Sequence, residues 1–451
     1  MRVVVVGGGI AGLAAARRLE ALFEEIEVVL VESTHRLGGK LLTEHVDGFV
    51  IEGAADSFLS RKERGIGLCE ELGLGAELIA RRPGNARSFV RRADELHPLP
   101  EGLTGMIPTS LEALSESRLL SDGGRERFAA EENLPAAPPD GDESIASFVV
   151  RRFGREAYER LVEPLMAGIY AGDGEQLSLR ATFPNLRTLE LEHGSVLRGL
   201  AAQSRSESPY PAFVGLRSGM QTLADTLVES LEHTTIRSGT PKPLRTRAGR
   251  YALDVGDVLL ADGVVIATPA PAASTLVSGL DSELAELIGD IPYASSAVVT
   301  LGYRREDVRH PLDGYGYVVP ATEGSEVLAC TWTSSKWEER APAGHALLRV
   351  YRRGISPGSD QQLVDTARAE LSLLEVTSEP CLTRLHRWPV GMPQYVLGHP
   401  ERLERIDTAL ARHPGVALAG AAYRGVGIPD CIASGEAAAD SIVRSLSPVA
   451  G

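Results

Sequence analysis

The chain has 451 residues, of which 43% are hydrophobic and 24% are charged, and its formal net charge at pH 7 is −15. This length predicts two or three domains, or one core with large insertions. The acidic balance argues against nucleic acid as a partner, because a phosphate backbone attracts a basic surface, and it disfavours a basic membrane anchor.

Cysteine usage and the N-terminus predict a cytoplasmic protein. The four cysteines lie far apart and form no C-x-x-C pair, so we expect reduced thiols, no metal site and no disulfide framework. The first residues lack the regions of a signal peptide. No apolar run reaches the length of a transmembrane segment, and peripheral membrane contact is left open.

The N-terminal segment predicts a dinucleotide-binding turn. The strand RVVVV at 2–6 is β-branched on both faces, as in a buried parallel sheet. It leads into a G-x-G-x-x-G pattern and an Ala-rich helix. Gly7 permits a tight turn, Gly9 lets the backbone approach a pyrophosphate, and Gly12 lets the helix pack on the strand. The free N–H groups at the helix start would then face the phosphates.

A second strand ends at Glu32, twenty residues after Gly12. A carboxylate at this place accepts hydrogen bonds from the adenosine ribose hydroxyls, and it suits an unphosphorylated ribose better than an NADP 2′-phosphate. The N-terminal unit therefore predicts a bound NAD or FAD.

A second glycine pair follows closely, in the run Arg36, Gly38, Gly39 and Lys40. It would let another turn approach the same ligand, with basic residues near the pyrophosphate. The segment resembles the amine-oxidase-like FAD flavoproteins, whereas a plain NAD dehydrogenase does not require this second turn.

The middle of the chain predicts inserted regions. Residues 63–80 have the pattern of an amphipathic helix, whereas the polar, Pro- and Gly-rich stretch 121–143 predicts a surface connection outside the core. Apolar side chains recur at helical spacing through 145–165. Strands rich in β-branched residues through 295–351, followed by a helix near 361–375, indicate a mixed sheet.

The chain then returns to the nucleotide fold. The strand GVALAG at 415–420 leads into a Gly-rich turn and a small-residue helix ending near Ser445. This order is typical of a phosphate-binding loop. We therefore predict that the turn at 425–428 closes the site that Gly7 opens, on the far side of the same cofactor.

Four further segments are more specific: 162–184, 215–227, 385–399 and 425–432. They resemble the porphyrinogen oxidases of haem synthesis, over nearly the whole chain. The run DSFLSRK at 56–62 resembles the bacterial branch that oxidises coproporphyrinogen III. The resemblance implies that FAD takes hydride from the macrocycle in three two-electron rounds and that oxygen reoxidises it to give hydrogen peroxide. Transient contact with a ferrochelatase is also implied.

The resemblance implies an α/β, overall α+β, fold with a Rossmann-like FAD-binding domain, an inserted mixed-sheet substrate domain and a helical domain. The expected FAD-binding segments are 1–60, 215–290 and 381–451. The substrate domain is expected at 61–100 and 291–380, and the helical domain at 101–214.

Carried onto this sequence, the resemblance implies a set of cofactor contacts. They are Gly7, Gly8, Gly9, Ile10, Ala11, Gly12, Glu32, Ser33, Arg36, Gly39, Lys40, Ala54, Ala55, Asp56, Ser57, Lys242, Trp388, Gly420, Val426, Gly427 and Ile428. Two positions depart from the family. The turn before Asp56 reads Gly53-Ala54-Ala55 instead of Arg-Gly-Pro, and Lys242 replaces a small apolar residue whose backbone meets adenine. Cys431 lacks the context of a flavin thioether, so we expect non-covalent FAD.

Flavin chemistry requires no catalytic triad, because the cofactor carries the reaction. From the sequence alone, Gly168 and Tyr170 have the pattern of a helix C-cap with an aromatic anchor, but the resemblance favours a role in lining the cavity. A substrate with four propionates requires cations, and the candidates are Arg61, Lys62, Arg217 and Arg387. For each of them a solvated surface charge is the simpler interpretation.

Three alternatives stay open. One is a protoporphyrinogen IX oxidase. A second keeps the flavin fold but changes the substrate, as in an amine oxidase with an aromatic pair or a desaturase with a longer apolar surface. A third is a flavin-bearing scaffold with little turnover, which only the altered turn at Gly53-Ala54-Ala55 supports.

Overall fold

A five-stranded parallel sheet forms the base of the predicted nucleotide-binding region. The structure is a computed structural model, and it describes residues 1–22, 26–85, 87–104, 106–136, 141–203, 209–355 and 358–446. From edge to edge the strands of this sheet are Thr235–Ser238, Glu27–Glu32, Arg2–Val6, Gly263–Ile266 and Val416–Leu418. Successive strands of the chain run outward on one side of Arg2–Val6 and then on the other. This reversal creates a topological switch point, where open α/β sheets bind ligands.

Helices and small sheets cover both faces of this parallel sheet. Along the first strand, Val3 and Val5 contribute to one buried cluster and Val4 and Val6 to the other, because successive side chains of a strand point to opposite faces. One face packs on helices Ile10–Leu22, Glu63–Glu71, Gln221–Glu229 and Ile428–Leu446. The other packs on Ala270–Val277, Ser282–Gly289, His399–Leu410 and the antiparallel strands Arg245–Arg247, Arg250–Asp254 and Val258–Ala261.

A second, seven-stranded sheet is mixed. Its order is Leu382–Pro393, Tyr293–Arg304, His345–Arg353, Val327–Trp332, Gly316–Val318, Phe89–Arg92 and Glu95–Pro98. Helix Asp360–Glu370 covers one face through buried Leu363 and Ala367. The short helix Thr333–Lys336 connects two neighbouring strands of this sheet.

Helices dominate between residues 111 and 202. They are Leu111–Glu116, Asp122–Ala129, Ile145–Phe153, Arg155–Ala157, the π-helical turn Tyr158–Val162, Glu163–Tyr170, Leu179–Thr182, Pro184–His193 and Val196–Ala202. Serine hydroxyls at 110, 121, 144, 178 and 195 accept from backbone N–H groups at the starts of five of them, which is the standard N-cap.

Short elements complete the described chain. The remaining strands are Thr43–Val46 with Phe49–Glu52, Phe58–Leu59 with Phe213–Leu216 and Leu78–Ala80, and Leu103–Thr104 with Ile107–Pro108. The 3-10 turns are Gly75–Glu77, Pro83–Asn85, Ala130–Asn133, Arg305–Asp307, Ala321–Glu323 and Leu371–Leu374.

The predicted fold class is confirmed, since a Rossmann-like parallel sheet, a mixed sheet and a helical region are all present. The domain boundaries stay a prediction. The strand Leu382–Pro393 pairs with Tyr293–Arg304 in the seven-stranded sheet, although it falls within 381–451, which was expected in the cofactor domain.

Two predictions about single elements were wrong. The helix expected over 63–80 ends at Glu71, because Gly73 takes a positive φ of 74° and the chain turns into a strand. The stretch 121–143 is not only a surface connection. The Ser121 hydroxyl caps a helix there, and Phe128 is fully buried with its ring centroid 4.8 Å from that of Phe153.

Candidate cofactor and substrate site

The first glycine turn lies at the switch point of the parallel sheet. Gly7 has a φ of 106°, and a Cβ atom there would lie 2.7 Å from the carbonyl oxygen of Ala267 on the neighbouring strand. A Cβ atom at Gly12 would lie 1.9 Å from the carbonyl oxygen of Gly7. These two positions therefore require glycine for packing, as the motif predicts.

Gly9 is different, because a Cβ atom there would meet nothing closer than Gly39 Cα at 3.9 Å. Its missing side chain leaves open space in front of the turn. Helix Ile10–Leu22 begins at this point, and its first N–H groups, including those of Ala11, have no intrahelical partner. The arrangement suits a diphosphate, which requires close backbone approach and N–H donors.

The second glycine turn packs directly on the first. The Gly38 N–H donates to the Gly8 carbonyl at 2.7 Å, and Gly39 takes a φ of 58° beside Gly9. The Arg36 guanidinium donates to the carbonyls of Gly39 and Leu41, so it stabilises this turn through its backbone oxygens. Burial lowers the pKa of Arg36 from its ordinary value.

Lys40 extends from the second turn to the strand Leu382–Pro393. Its ammonium donates to the Gly391 carbonyl and lies 5.8 Å from the ring centroid of Tyr293. Within the described residues it forms no ion pair with a carboxylate. Burial lowers the pKa of Lys40 to about 8. A lysine left without a counter-ion at this place fits an anionic ligand.

Glu32 closes the back of the turn. Its carboxylate accepts from the Gly8 N–H at 2.7 Å and from the Thr34 N–H at 2.8 Å, and the exposed Ser33 hydroxyl donates to it at 3.2 Å. The structure thus brings Glu32, Ser33 and Gly8 together at the end of the second strand.

The turn at 53–57 is held by residues distant in sequence. The Trp388 indole N–H donates to the Gly53 carbonyl at 2.9 Å, and the Arg349 guanidinium donates to the Ala54 carbonyl. Ala55 is exposed. A Cβ atom at Gly53 would lie 2.8 Å from Leu42 and 3.0 Å from His386, so the packing here excludes the family's arginine.

Asp56 anchors the same turn from below. Its carboxylate is 2.8 Å from the Lys336 ammonium and accepts from the Trp337 indole at 3.2 Å and the Ser57 hydroxyl at 2.8 Å. Burial alone would raise the pKa of Asp56, but the charges of Lys336 and Arg349 and these hydrogen bonds hold it well below its usual range.

The C-terminal turn meets the N-terminal one. Helix Ile428–Leu446 packs against Ile10–Leu22 so closely that a Cβ atom at Gly435 would lie 2.0 Å from the Ala11 carbonyl oxygen. Gly420 has a φ of 107°, and a Cβ atom there would meet only Ala11 Cβ, at 3.9 Å. The chain ends therefore converge, with Gly420 facing open space like Gly9.

The turn between Gly420 and the last helix is fixed by side chains. The Gly427 N–H donates to the Asp430 carboxylate at 3.1 Å. The Tyr395 hydroxyl donates to the Ala421 carbonyl at 2.7 Å and accepts from the Gly425 N–H at 2.8 Å. Val426, half-buried, packs against the helical cluster.

Tyr170 lies beside this turn. It ends helix Glu163–Tyr170, with Ala171 in the left-handed region at a φ of 50°, so the predicted C-cap is present. The Gln394 amide donates to the Tyr170 carbonyl at 2.9 Å. Burial, and secondarily the charge of Asp430, raises the pKa of Tyr170. Gly168, two residues earlier, is exposed.

The four candidate cations occupy different places. Lys62 forms an ion pair with Asp430 at 2.6 Å and therefore lies at the C-terminal turn. Arg61 is exposed beside it and forms no ion pair within the described residues. Arg217 pairs with Glu339 at 3.1 Å, on the exposed surface.

Arg387 is turned away from the cofactor turns. It pairs with Asp360, whereas its neighbour Trp388 reaches Gly53, and adjacent residues of a strand point to opposite faces. Lys242 is bound to the strand Arg250–Asp254: its N–H donates to the Asp254 carbonyl at 2.9 Å and its ammonium to the Asp254 carboxylate at 2.7 Å.

Sequence reasoning missed the residues that support the turns: Lys336, Arg349, Gln394, Tyr395 and Thr268. Thr268 follows the strand next to Gly7, and its hydroxyl is buried without a hydrogen-bond partner in the described structure. Of these residues, only Arg349 could have been recognised from the sequence, because it is a basic residue within the apolar run ALLRV.

The residues present fit a flavin dinucleotide. Gly9 and Gly420 leave room for close approach to the backbone. Among the described residues, the Lys40 ammonium has no carboxylate partner and the Thr268 hydroxyl has no hydrogen-bond partner. Among the described residues, no group of three or more His, Cys, Asp or Glu side chains could hold a metal ion. None of the described helices combines the length and apolarity needed to cross a membrane.

Comparison with known proteins identifies the same chemistry. The profile of flavin-containing amine oxidoreductases matches residues 10–443. A coproporphyrinogen III oxidase of Bacillus subtilis (strain 168) is 36% identical, with 98% of each chain covered, and one of Staphylococcus aureus is 30% identical, covering 98% of this chain and 99% of that protein. A crystal structure of a provisionally named protoporphyrinogen oxidase from Exiguobacterium sp. 255-15 has a TM-score of 0.88 at 33% identity, with 98% of each chain covered.

Proposed function

The chain belongs to the flavin-containing amine oxidoreductases, and from this premise we propose that it is an FAD-dependent coproporphyrinogen III oxidase of haem biosynthesis. The observation that carries the proposal is the convergence of three glycine turns, near Gly9, Gly39 and Gly420, at the switch point of the parallel sheet. The full-length similarity to coproporphyrinogen III oxidases supports the choice of substrate.

The positions of the residues support the following roles. The first helical N–H groups and Lys40 would bind the diphosphate, and Glu32 would bind the ribose. The turns at 53–57 and 426–428 would hold the isoalloxazine ring, without a covalent bond. When bound, the flavin accepts the two electrons of each oxidation step. Three such steps convert coproporphyrinogen III to coproporphyrin III, and each consumes one O2 and yields one H2O2.

The substrate is a tetrapyrrole with four propionates. Lys62 and Arg61, at the C-terminal turn, are the candidate cations with the best placement, whereas Arg217 is engaged at the surface and Arg387 faces away. Buried Tyr170 and exposed Gly168 stay candidates for lining the substrate cavity. A charge-assisted hydrogen bond from Lys62 would orient one propionate, while the flat ring passes over the exposed backbone of Gly168.

A second candidate substrate is protoporphyrinogen IX. The Exiguobacterium structure, which carries that name, favours it. An amine oxidase or a desaturase has weaker support, because solved amine oxidases such as putrescine oxidase share the fold at only 17% identity.

The deciding experiment supplies coproporphyrinogen III and protoporphyrinogen IX side by side and measures porphyrin fluorescence and peroxide. We expect the higher kcat/KM with coproporphyrinogen III and one H2O2 for every two electrons removed. Preference for protoporphyrinogen IX would reverse the substrate choice. Flavin that stays oxidised with both substrates under anaerobic conditions would identify a scaffold without turnover.

A matched pair of glycine variants tests the cofactor site. The methyl group of Gly9→Ala would make only an ordinary contact, with Gly39 Cα at 3.9 Å, so the apoprotein should keep its stability. FAD affinity should fall at least tenfold, because the methyl group occupies the approach of the diphosphate. The control Gly75→Ala lies in open space far from the turns and should change neither quantity. Unchanged FAD affinity in Gly9→Ala would place the cofactor elsewhere. Truncation before Gly420 is a poorer test, since it removes helix Ile428–Leu446 from the core.

We also propose that the reaction takes place in the cytoplasm and that product passes to a ferrochelatase by transient or peripheral-membrane contact. The chemistry motivates this, because a free porphyrin is photoreactive and metal insertion must follow. A coupled assay measures it: product transfer should resist dilution by a porphyrin-binding competitor, and full loss of product to the competitor argues against direct contact.

A further inference from the structure

A buried charge cluster lies beneath the turn at 53–57, and nothing in the proposed chemistry so far uses it. Its members are Glu52, Asp56, Lys336, Arg340 and Arg349. Arg340 and Glu52 are fully buried and lie 3.4 Å apart. The cluster joins the turn to the seven-stranded sheet, because Lys336 and Arg349 come from that sheet and its connecting helix.

The cluster contains more cations than carboxylates. Asp56 is shared by Lys336, at 2.8 Å, and Arg349, at 3.6 Å. Glu52 faces Arg340 and also accepts from the Thr43 hydroxyl at 2.7 Å and the Met220 N–H at 2.9 Å. Burial raises the pKa of Glu52. A buried uncompensated charge is costly, so its retention points to a use outside the cluster.

Arg349 has the most unfilled hydrogen-bonding capacity of the cluster's members within the described residues, two nitrogen atoms against one in Arg340. Its side chain is fully buried, and its Nε and Nη1 atoms have no hydrogen-bond partner in the described structure. Its Nη2 atom donates to the Ala54 carbonyl, while its guanidinium carbon lies 5.1 Å from the ring centroid of Tyr351. The guanidinium is therefore fixed on one side by the turn and on the other by an aromatic ring.

We propose that Arg349 is a positioning residue for the flavin-facing turn and that the surplus positive charge of this cluster favours the reduced state of the flavin. This inference rests on the proposed function, which places the flavin against residues 54–57. Each oxidation breaks a substrate C–H bond; two electrons and one proton pass to the flavin, and a second proton leaves the substrate for solvent. The reduced flavin then carries one more negative charge. A fixed cation in a medium of low dielectric stabilises that charge.

The test measures the midpoint potential of bound FAD in the holoenzyme during dye-referenced reduction with dithionite. Arg349→Met removes one cation, and the equilibrium constant for two-electron reduction should fall about tenfold, or about 30 mV. Asp56→Asn removes an anion and should shift the potential in the opposite direction. Arg349→Lys keeps the charge and should restore the potential, while FAD affinity stays reduced because the fork to Ala54 is lost.

The matched control is Arg352→Met. Arg352 lies on the same strand, is also buried, and pairs with Glu326 instead of the turn, so the potential should not change. If Arg349→Met does not fold, Lys336→Met removes another cation of the cluster and should lower the potential in the same way. Shifts of the same sign in Arg349→Met and Asp56→Asn would show simple disruption and overturn the inference.

The outcome separates this inference from the proposed function. An unmodified protein that binds no FAD overturns the proposed function and this inference with it. A protein that binds FAD and oxidises porphyrinogen, but whose potential is the same in Arg349→Met, Lys336→Met and Arg352→Met, overturns this inference alone.

Discussion

The helical region holds a second buried charge cluster, which differs from the one beneath the turn at 53–57. Its members are Glu131, Glu143, Glu190, Arg151, Arg152 and Arg187. Carboxylates and guanidiniums are equal in number here, whereas the cluster beneath the turn has three cations for two carboxylates.

The two clusters also differ in how completely their polar atoms are satisfied. Glu131 accepts from Arg152, from the Ser195 hydroxyl at 2.6 Å and from the N–H groups of Val196 and Leu197. Arg349, in the other cluster, leaves two nitrogen atoms without partners. A balanced and fully bonded cluster specifies a fold. Under the proposed function, an unbalanced cluster with unpartnered Arg349 nitrogen atoms is the one expected to stabilise an external anion. This difference distinguishes the structural role that we assign to one cluster from the functional role that we propose for the other.

The largest expected effect comes from breaking the balanced cluster. Glu131→Ala leaves the buried Arg152 guanidinium with only the more distant Glu190, at 3.5 Å. It also removes the carboxylate that accepts from the first two N–H groups of helix Val196–Ala202. The free energy of unfolding should fall by about 3–5 kcal/mol, measured by urea denaturation. The control Glu175→Ala breaks the exposed pair with Arg155, and pairs of that kind contribute at most about 1 kcal/mol.

The midpoint potential of bound FAD should stay unchanged in folded Glu131→Ala. This combination of lost stability and constant potential is the reverse of what we expect for Arg349→Met. A potential shift in Glu131→Ala would remove the distinction between the two clusters.

Lys40 offers a second test of the comparison, since it is another buried cation without a carboxylate partner among the described residues, and it lies beside the glycine turns. Its pKa is lowered by burial from 10.5 to about 8 in the folded chain. The unfolded chain therefore holds this proton more tightly, and apoprotein stability should rise as the pH increases from about 8 to about 10.5. The full change corresponds to about 3 kcal/mol. Below pH 8 the penalty is present in full.

The matched variant Lys40→Met isolates this contribution from other titrating groups. It should be more stable than the unmodified apoprotein at pH 7, and the difference should vanish near pH 10.5 in denaturation curves at several pH values. FAD affinity should show the opposite trend, falling above pH 8 in the unmodified protein because the neutral lysine no longer attracts the diphosphate. Parallel stability curves for the two proteins would contradict the assignment.

The glycine turns could be predicted from the sequence because their constraints are local. Gly7 and Gly12 are required by backbone contacts within the turn and to the adjacent strand, and the spacing to Glu32 follows from one βαβ unit. The C-terminal turn was also predictable, since a strand, a glycine turn and a helix recur there in the same order.

The supporting cluster could not be predicted in the same way. Lys336 and Asp56 are 280 residues apart, and no short pattern connects them. Their contact depends on how the seven-stranded sheet packs against the turn. The placement of the candidate cations could not be predicted for a related reason. Arg217 and Arg387 pair with the carboxylates of Glu339 and Asp360, which no spacing in the sequence relates to them.

The smallest expected effect concerns Lys62, whose exposed pair with Asp430 is balanced like the helical cluster but lies at the C-terminal turn. A substrate propionate can compete with Asp430 for this ammonium. Lys62→Met should therefore raise the KM for coproporphyrinogen III about threefold to tenfold with little change in kcat, which corresponds to about 1 kcal/mol for an exposed charge pair. Because solvent ions screen such a pair, the effect should shrink at high ionic strength.

The control for Lys62 is Arg217→Met, which breaks an equally exposed pair away from the turn and should leave KM unchanged. The two variants remove the same charge from the same protein, so a difference in KM reports position and not net charge. Equal rises in both would mean that the acidic chain attracts its substrate through the overall field, and Lys62 would then lose its assigned role. If KM rises only in Lys62→Met and this rise disappears at high salt, a propionate of the substrate lies within reach of the C-terminal turn.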